Sequence, residues 1–122
     1  MMKVLIVDDS PPIQTRLLKL LMQVDKNMTI YQAFSCQEAI EMFSAFEPET
    51  IILDIELPDG SGINLLRRFK EEKSSVAVIV FTNYATTEFK KICMDLCAMD
   101  FIDKTDLISL VKTMSSLKSY HN

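Results

Sequence analysis

The sequence predicts an α/β fold in which five short parallel strands are joined by five helices. Three observations predict it. Short apolar runs alternate along the chain with segments whose apolar residues recur every three or four positions. Two of the runs, TIILD and VAVIVFT, are continuously apolar up to their last residue, as expected of strands covered on both faces. Regular alternation of strand and helix implies a parallel sheet with right-handed crossovers.

Each element has its own signal. The first strand is read at 3–8, in KVLIVD. Ser10 opens the first helix, whose first turn tolerates Pro11 and Pro12 because their missing N–H groups would have no intrahelical partner. That helix is expected to bury Ile13, Leu17, Leu20, Leu21 and Val24. The second strand, 28–33, reads MTIYQA; it alternates more and is expected at an edge. Ser35 with Glu38 three residues on is a capping box, opening a helix that buries Cys36, Ala39, Ile40 and Phe43 and that Pro48 stops. The third strand is read at 50–54. The third helix runs from Gly62 to Glu72 over Leu65, Leu66 and Phe69. The fourth strand, 76–82, precedes a helix from Thr86 to Cys97 that buries Phe89, Ile92, Cys93 and Leu96. The fifth strand, 100–103, leads to a helix from Thr105 that buries Leu107, Leu110, Val111, Met114 and Leu117. Only the tail SLKSYHN is expected to fray.

Bulk properties narrow the function. A length of 122 residues fits one domain, 1–122, with a single core. A formal net charge of -4 and the lack of any extended Lys/Arg cluster argue against direct nucleic-acid binding. The short basic spots, Arg67-Arg68 with Lys70 and Lys90-Lys91, sit beside acids and read as solvated helix faces. No apolar run approaches a membrane span, so no membrane insertion is expected. Asp8 and Asp9 cut the N-terminal MMKVLIV too short for a secretion signal, so a cytoplasmic location is expected. Cys36, Cys93 and Cys97 are expected as reduced thiols. Cys93 and Cys97 read as packing residues on one helix face, since the chain has a single histidine, His121, to complete a zinc site.

The chemistry lies at the strand ends. Asp8 and Asp9 close the first strand, Asp54 the third and Thr82 the fourth, while Lys104 follows the fifth. In a parallel sheet these side chains share one edge, where ligands of open α/β sheets bind. Carboxylates brought within ~4 Å repel by roughly 4 kcal/mol per pair at a near-surface dielectric, and a divalent cation relieves that cost. Oxygen-only ligands favour Mg²⁺. A carboxylate can also accept a phosphoryl group. The Thr82 hydroxyl and the Lys104 ammonium would then hold its oxygens, and the helix N-termini at this edge favour anions. Placed there, Thr82 and Lys104 are expected to serve the phosphorylated state more than the fold, so losing Lys104 should cost little stability.

These residues carry a family resemblance. VDDS at 7–10, DIELPDGSG at 54–62, Thr82 at its strand end and FIDK at 101–104 resemble the receiver domain of two-component response regulators, over the whole length. The resemblance implies a flavodoxin-like, doubly wound five-stranded sheet of order 2-1-3-4-5. It implies Asp54 as phosphoacceptor and a histidine kinase as donor. Asp8, Asp9, Asp54 and the Glu56 backbone carbonyl would hold Mg²⁺. Thr82 would be the switch hydroxyl, Phe101 the switch aromatic and Lys104 the phosphate-binding lysine. Such a protein is a phosphoacceptor that catalyses at most its own phosphorylation and dephosphorylation.

Three positions depart from the family pattern. Thr105 stands where a cis proline commonly follows the lysine; either the site bears the strain of a cis bond or the loop is trans, with Thr105 capping the last helix. Cys97 stands where a glycine commonly ends the fourth helix, so its left-handed cap is expected to be lost. Asn83 replaces a small residue and would crowd the acceptor. Two other readings stay open: a small Mg²⁺-dependent aspartyl-phosphate phosphatase of the haloacid-dehalogenase type, and a degenerate receiver acting as a phosphate-independent interaction module. The first wants an Asp where Glu56 stands. A flavodoxin-like ligand-binding module fits worse, because DDSPPIQ is acidic and Pro-rich where a phosphate-cradling loop is needed. With the chain ending after the fifth helix, the signal is expected to leave by protein–protein contact around the fourth helix, fifth strand and fifth helix. Met94 and Ile108 would form its apolar centre, rimmed by Lys90, Lys91 and Lys112.

Overall fold

The structure, a computed structural model, describes residues 2–121. Seven strands and five helices follow one another as β1 (Lys3–Val7), α1 (Pro11–Val24), β2 (Thr29–Ala33), α2 (Cys36–Phe46), β3 (Thr50–Leu53), β4 (Glu56–Leu57), β5 (Gly60–Ser61), α3 (Gly62–Glu72), β6 (Ala77–Thr82), α4 (Thr87–Asp95), β7 (Asp100–Asp103) and α5 (Leu107–His121). The main sheet has the order β2-β1-β3-β6-β7, all neighbours parallel. This is the expected order once the small β4–β5 hairpin is set aside, and β2 is an edge as expected. The hairpin itself, Glu56 opposite Ser61, has no counterpart in the sequence reading.

The strand pleat sorts the core into two layers. Leu5, Val7, Ile51, Leu53, Val78, Val80 and Phe101 face one way and pack under α2, α3 and α4 through Phe43, Leu66, Phe69 and Cys93. Their neighbours Val4, Ile6, Ile52, Ile79, Phe81 and Ile102 face the other way, against Leu17 and Leu21 of α1 and Leu110 and Met114 of α5. Helices therefore cover both faces, which is why β3 and β6 read as continuous apolar runs.

Several local expectations are corrected. Ile92 is 42% exposed rather than buried, because the inward stripe of α4 runs through Phe89, Cys93 and Leu96. α4 ends at Asp95 and keeps a left-handed cap: Cys97 adopts φ 68° without glycine. The Ala98 N–H reaches the Cys93 carbonyl at 3.0 Å and the Cys97 N–H the Met94 carbonyl at 3.0 Å, the paired bonds of a Schellman motif. A β-carbon in that conformation costs roughly 1–2 kcal/mol. The turn also swings Cys97 into solvent, so only Cys93 packs in the core. No peptide bond is cis among the described residues, so the Lys104–Thr105 loop is trans. Thr105 does not cap α5. Its N–H and hydroxyl both donate to Asp103 Oδ1, and Asp106 accepts the Ser109 N–H at 3.0 Å, which starts the helix at Leu107. α5 continues to His121 through most of the tail expected to fray; Met1 and Asn122 lie outside the described residues.

Candidate functional site

Parallel pairing carries one residue past the strands and sets the site. The Asp54 N–H donates to the Val7 carbonyl at 3.0 Å, and the Lys104 N–H to the Thr82 carbonyl at 3.0 Å. Asp8, Asp9 and Asp54 thereby converge, each offering a carboxylate oxygen within 4.8 Å of the others. Asp8 and Asp54 are buried and Asp9 is exposed. The Asp9 carboxylate has no partner among the described residues.

Lys104 reaches into this group from the far side of β6. Its Nζ lies 2.7 Å from Asp8 Oδ2 and 2.8 Å from Asp54 Oδ2, with its side chain 9% exposed. This differs from the expectation that Lys104 waits for phosphate: it is already the counter-ion of two buried carboxylates. The second oxygens are held by the backbone. Asp8 Oδ1 accepts the Ser10 N–H at 2.9 Å and Asp54 Oδ1 the Glu56 N–H at 3.2 Å. Burial pushes the Asp8 carboxyl above its ordinary range, and the Lys104 and Ser10 hydrogen bonds pull it back only in part. Burial alone would lower Lys104, but its bonds to Asp54 and Asp8 outweigh that and hold the ammonium above its ordinary value.

One ammonium faces three carboxylates, so negative charge is left over. All donors are oxygens, and the free Asp9 carboxylate lies on the open side. This donor set fits a hard divalent cation such as Mg²⁺.

Thr82 is fully buried, and its Oγ1 accepts the Tyr84 N–H at 3.1 Å, which leaves the hydroxyl proton free to donate. Val80 pairs with Phe101, and Thr82 follows Val80 by one pleat. Thr82 and Phe101 therefore share the sheet face that packs under α2–α4, and Phe101 is buried there. A cleft of about 350 Å³ opens over Asp54 and Lys104 between Asp9, Glu56, Asn83 and Tyr84. Asn83 stands exposed on its rim. A larger cavity of about 590 Å³, between Ala77, Met99 and Leu117, lies at the opposite end of the strands and is mostly apolar. The convergent charges single out the smaller one.

Three residues of the site were not singled out from sequence. Gly62 lets α3 press on the acceptor strand: a β-carbon there would overlap the Asp54 carbonyl oxygen and come within 2.6 Å of Ile55 Cα. A signal existed, since the chain has only two glycines and both lie in this loop. Tyr84 stands at the cleft mouth, where the nearby Glu56 carboxylate raises its phenol. Gln14 is buried beneath Asp8. Neither carries a local pattern.

Comparison with known proteins agrees with this geometry. The family model described as the response regulator receiver domain matches residues 4–115. A putative transcriptional regulator of Pseudomonas aeruginosa is 33% identical over 109 residues, covering 89% of this chain and 52% of that protein. A protein-glutamate methylesterase/protein-glutamine glutaminase of Clostridium acetobutylicum is 32% identical over 106 residues, covering 85% of this chain and 31% of that protein. The chain thus spans about half or less of the length of these relatives. The signal receiver domain of a DNA-binding response regulator from Colwellia psychrerythraea superposes with a TM-score of 0.92 at 20% identity, covering 98% of this chain and 99% of that one, which bears on the fold. No helix among the described residues is long and apolar enough to cross a membrane. With five strand-end residues meeting at one sheet edge and a family model matching nearly its full length, the chain belongs to the response regulator receiver domain family.

Proposed function

We propose that this chain is a phosphorylation-controlled switch of a cytoplasmic two-component phosphorelay, with Asp54 as the acceptor and a histidine kinase as donor. The observation that carries the reading is Lys104 Nζ bridging Asp8 and Asp54 at 2.7 and 2.8 Å inside a cluster of three acids. An Asp54 carboxylate oxygen attacks phosphorus in line. The P–N bond to the donor imidazole breaks, and the imidazole takes up a proton as it leaves. Asp8, Asp9, Asp54 and the Glu56 carbonyl would hold Mg²⁺, which when bound would neutralise charge on the phosphoryl oxygens. Lys104 moves from Asp54 Oδ2 to one of those oxygens. Thr82 turns its hydroxyl toward another, giving up the Tyr84 N–H, and Phe101, already buried on the same sheet face, repacks against it. Glu56, exposed at the surface, stands two residues after Asp54 where the phosphatase reading wants an Asp, which weighs against that reading.

The signal leaves through α4, β7 and α5 to a protein partner. Ile92, Met94 and Ile108 are exposed there, Ile108 at 71%, with Lys90, Lys91 and Lys112 exposed on the same helices. The test is incubation with acetyl phosphate and MgCl₂, read by intact mass. Wild type gains one alkali-labile phosphoryl group only with Mg²⁺, and Asp54→Asn gains none. Undiminished labelling of Asp54→Asn overturns the assignment.

A further inference from the structure

We infer that Gln14 is a positioning residue for the acidic site, fixing the backbone from which Asp8 projects; this rests on the reading that Asp8 helps to hold Mg²⁺. Gln14 lies one turn into α1 and is 1% exposed. The two N–H groups of its Nε2 are shared among the carbonyls of Ile6 at 3.2 Å, Asp8 at 3.1 Å and Ala33 at 2.8 Å. These carbonyls lie where β1 and β2 end, just under the carboxylates. The Ala33 carbonyl also takes the Asp8 N–H at 3.1 Å. Asp8 is therefore gripped at its N–H by β2, at its carbonyl by Gln14 and at Oδ1 by the Ser10 N–H. Oδ2 is then aimed at Lys104 and the cluster.

The side chain itself indicates that its donors are what matter. Gln14 Oε1 is buried without a partner, so the amide is oriented wholly by the carbonyls that its nitrogen serves. A residue kept only to fill this space would be apolar, as Leu17 and Leu21 are further along α1. A second amide holds the arrangement in place: Gln32 Nε2 donates to the Gln14 backbone carbonyl at 3.1 Å. Removing the Nε2 donors takes one hydrogen bond from each of these strand-end carbonyls, with the Ala33 carbonyl keeping the Asp8 N–H, and the Asp8 backbone relaxes toward water. Metal sites held by carboxylates are sensitive to the groups that support those carboxylates, whose loss typically weakens binding by about 10–100-fold.

The test is titration of the full chain with MgCl₂, followed by ¹⁵N amide shifts of Asp8, Asp9 and Asp54. Gln14→Met keeps length and volume but has no donor; Gln14→Asn keeps an amide that is one methylene too short. Leu20→Ala, a half-buried site on the same helix, controls for general loosening. The expected result is Mg²⁺ binding weakened about tenfold or more in both Gln14 variants, with the apo Asp8 and Asp9 amides shifted and Leu20→Ala binding like wild type. Equal binding in wild type and both Gln14 variants overturns this inference alone. So does an equal loss in Leu20→Ala, or failure of both Gln14 variants to fold while Leu20→Ala folds, since Gln14 would then serve the fold in general. A wild type without Mg²⁺-dependent shifts overturns the metal reading, and this inference with it.

Discussion

Lys104→Met tests whether the lysine belongs to the resting fold as well as to the phosphorylated state. The side chain keeps its length and apolar stem and loses only the ammonium. At 2.7 and 2.8 Å, each ion pair is worth about 6 kcal/mol of Coulomb energy at an effective dielectric of 20. Most of that offsets the cost of burying the charges. Breaking a buried pair by deleting one partner nonetheless destabilises by about 3–5 kcal/mol, because the remaining charge is stranded. Here the low end applies: the cleft admits water, and Asp8, already pushed toward protonation by burial, can take up a proton. A loss of about 3 kcal/mol in a domain of this size lowers the melting temperature by about 10 °C. The assay is thermal unfolding by circular dichroism at neutral pH without divalent metal. Lys104→Met/Asp8→Asn should recover most of the loss, since only one buried carboxylate then lacks a counter-ion. A Lys104→Met midpoint within about 2 °C of wild type would refute the reasoning, because the carboxylates would then need no ammonium.

Two further predictions follow from the same geometry. Asp8→Asn should be more stable than wild type at neutral pH. The Asp8 pKa is raised by burial above 3.8, so Asp8 favours folding when protonated and loses that contribution as pH rises through its folded-state pKa. Melting temperatures across the acid range should show the advantage of Asp8→Asn vanishing as pH falls to 3.8 and below; a constant difference contradicts the titration argument. Gly62→Ala should cost about 3 kcal/mol or more, since its β-carbon meets the Asp54 carbonyl and the Ile55 backbone, which cannot move aside as a side chain would. Urea unfolding measures the loss, and Asp54 labelling should fall with it; an unchanged midpoint shows that α3 can back away from the acceptor strand.

The strand-end residues were legible because a strand's last residue has one place to go. Once the runs ending at Asp8, Asp54 and Thr82 are parallel neighbours, their side chains share an edge, whatever the loops do. The faces of α1, α2 and α3 were legible for a similar reason, as spacings of three and four define one stripe. Side-chain partners were not. That Lys104 already bridges Asp8 and Asp54 depends on β7 lying beside β6, at the fifty-residue separation of their hydrogen bond. Asp59 likewise caps α2 from the hairpin through the Cys36 and Gln37 N–H groups, a contact across more than twenty residues. Gln14 reads as one more polar position on an amphipathic helix until β1 and β2 set their terminal carbonyls against it. The backbone at Cys97 and Thr105 was misjudged from residue type alone: tertiary packing imposed a left-handed turn on a cysteine, and Asp103 and Asp106 supplied the bonds expected of Thr105. Local periodicity assigns a residue to a face, while the identity of what meets that face is set by chain segments far away in sequence.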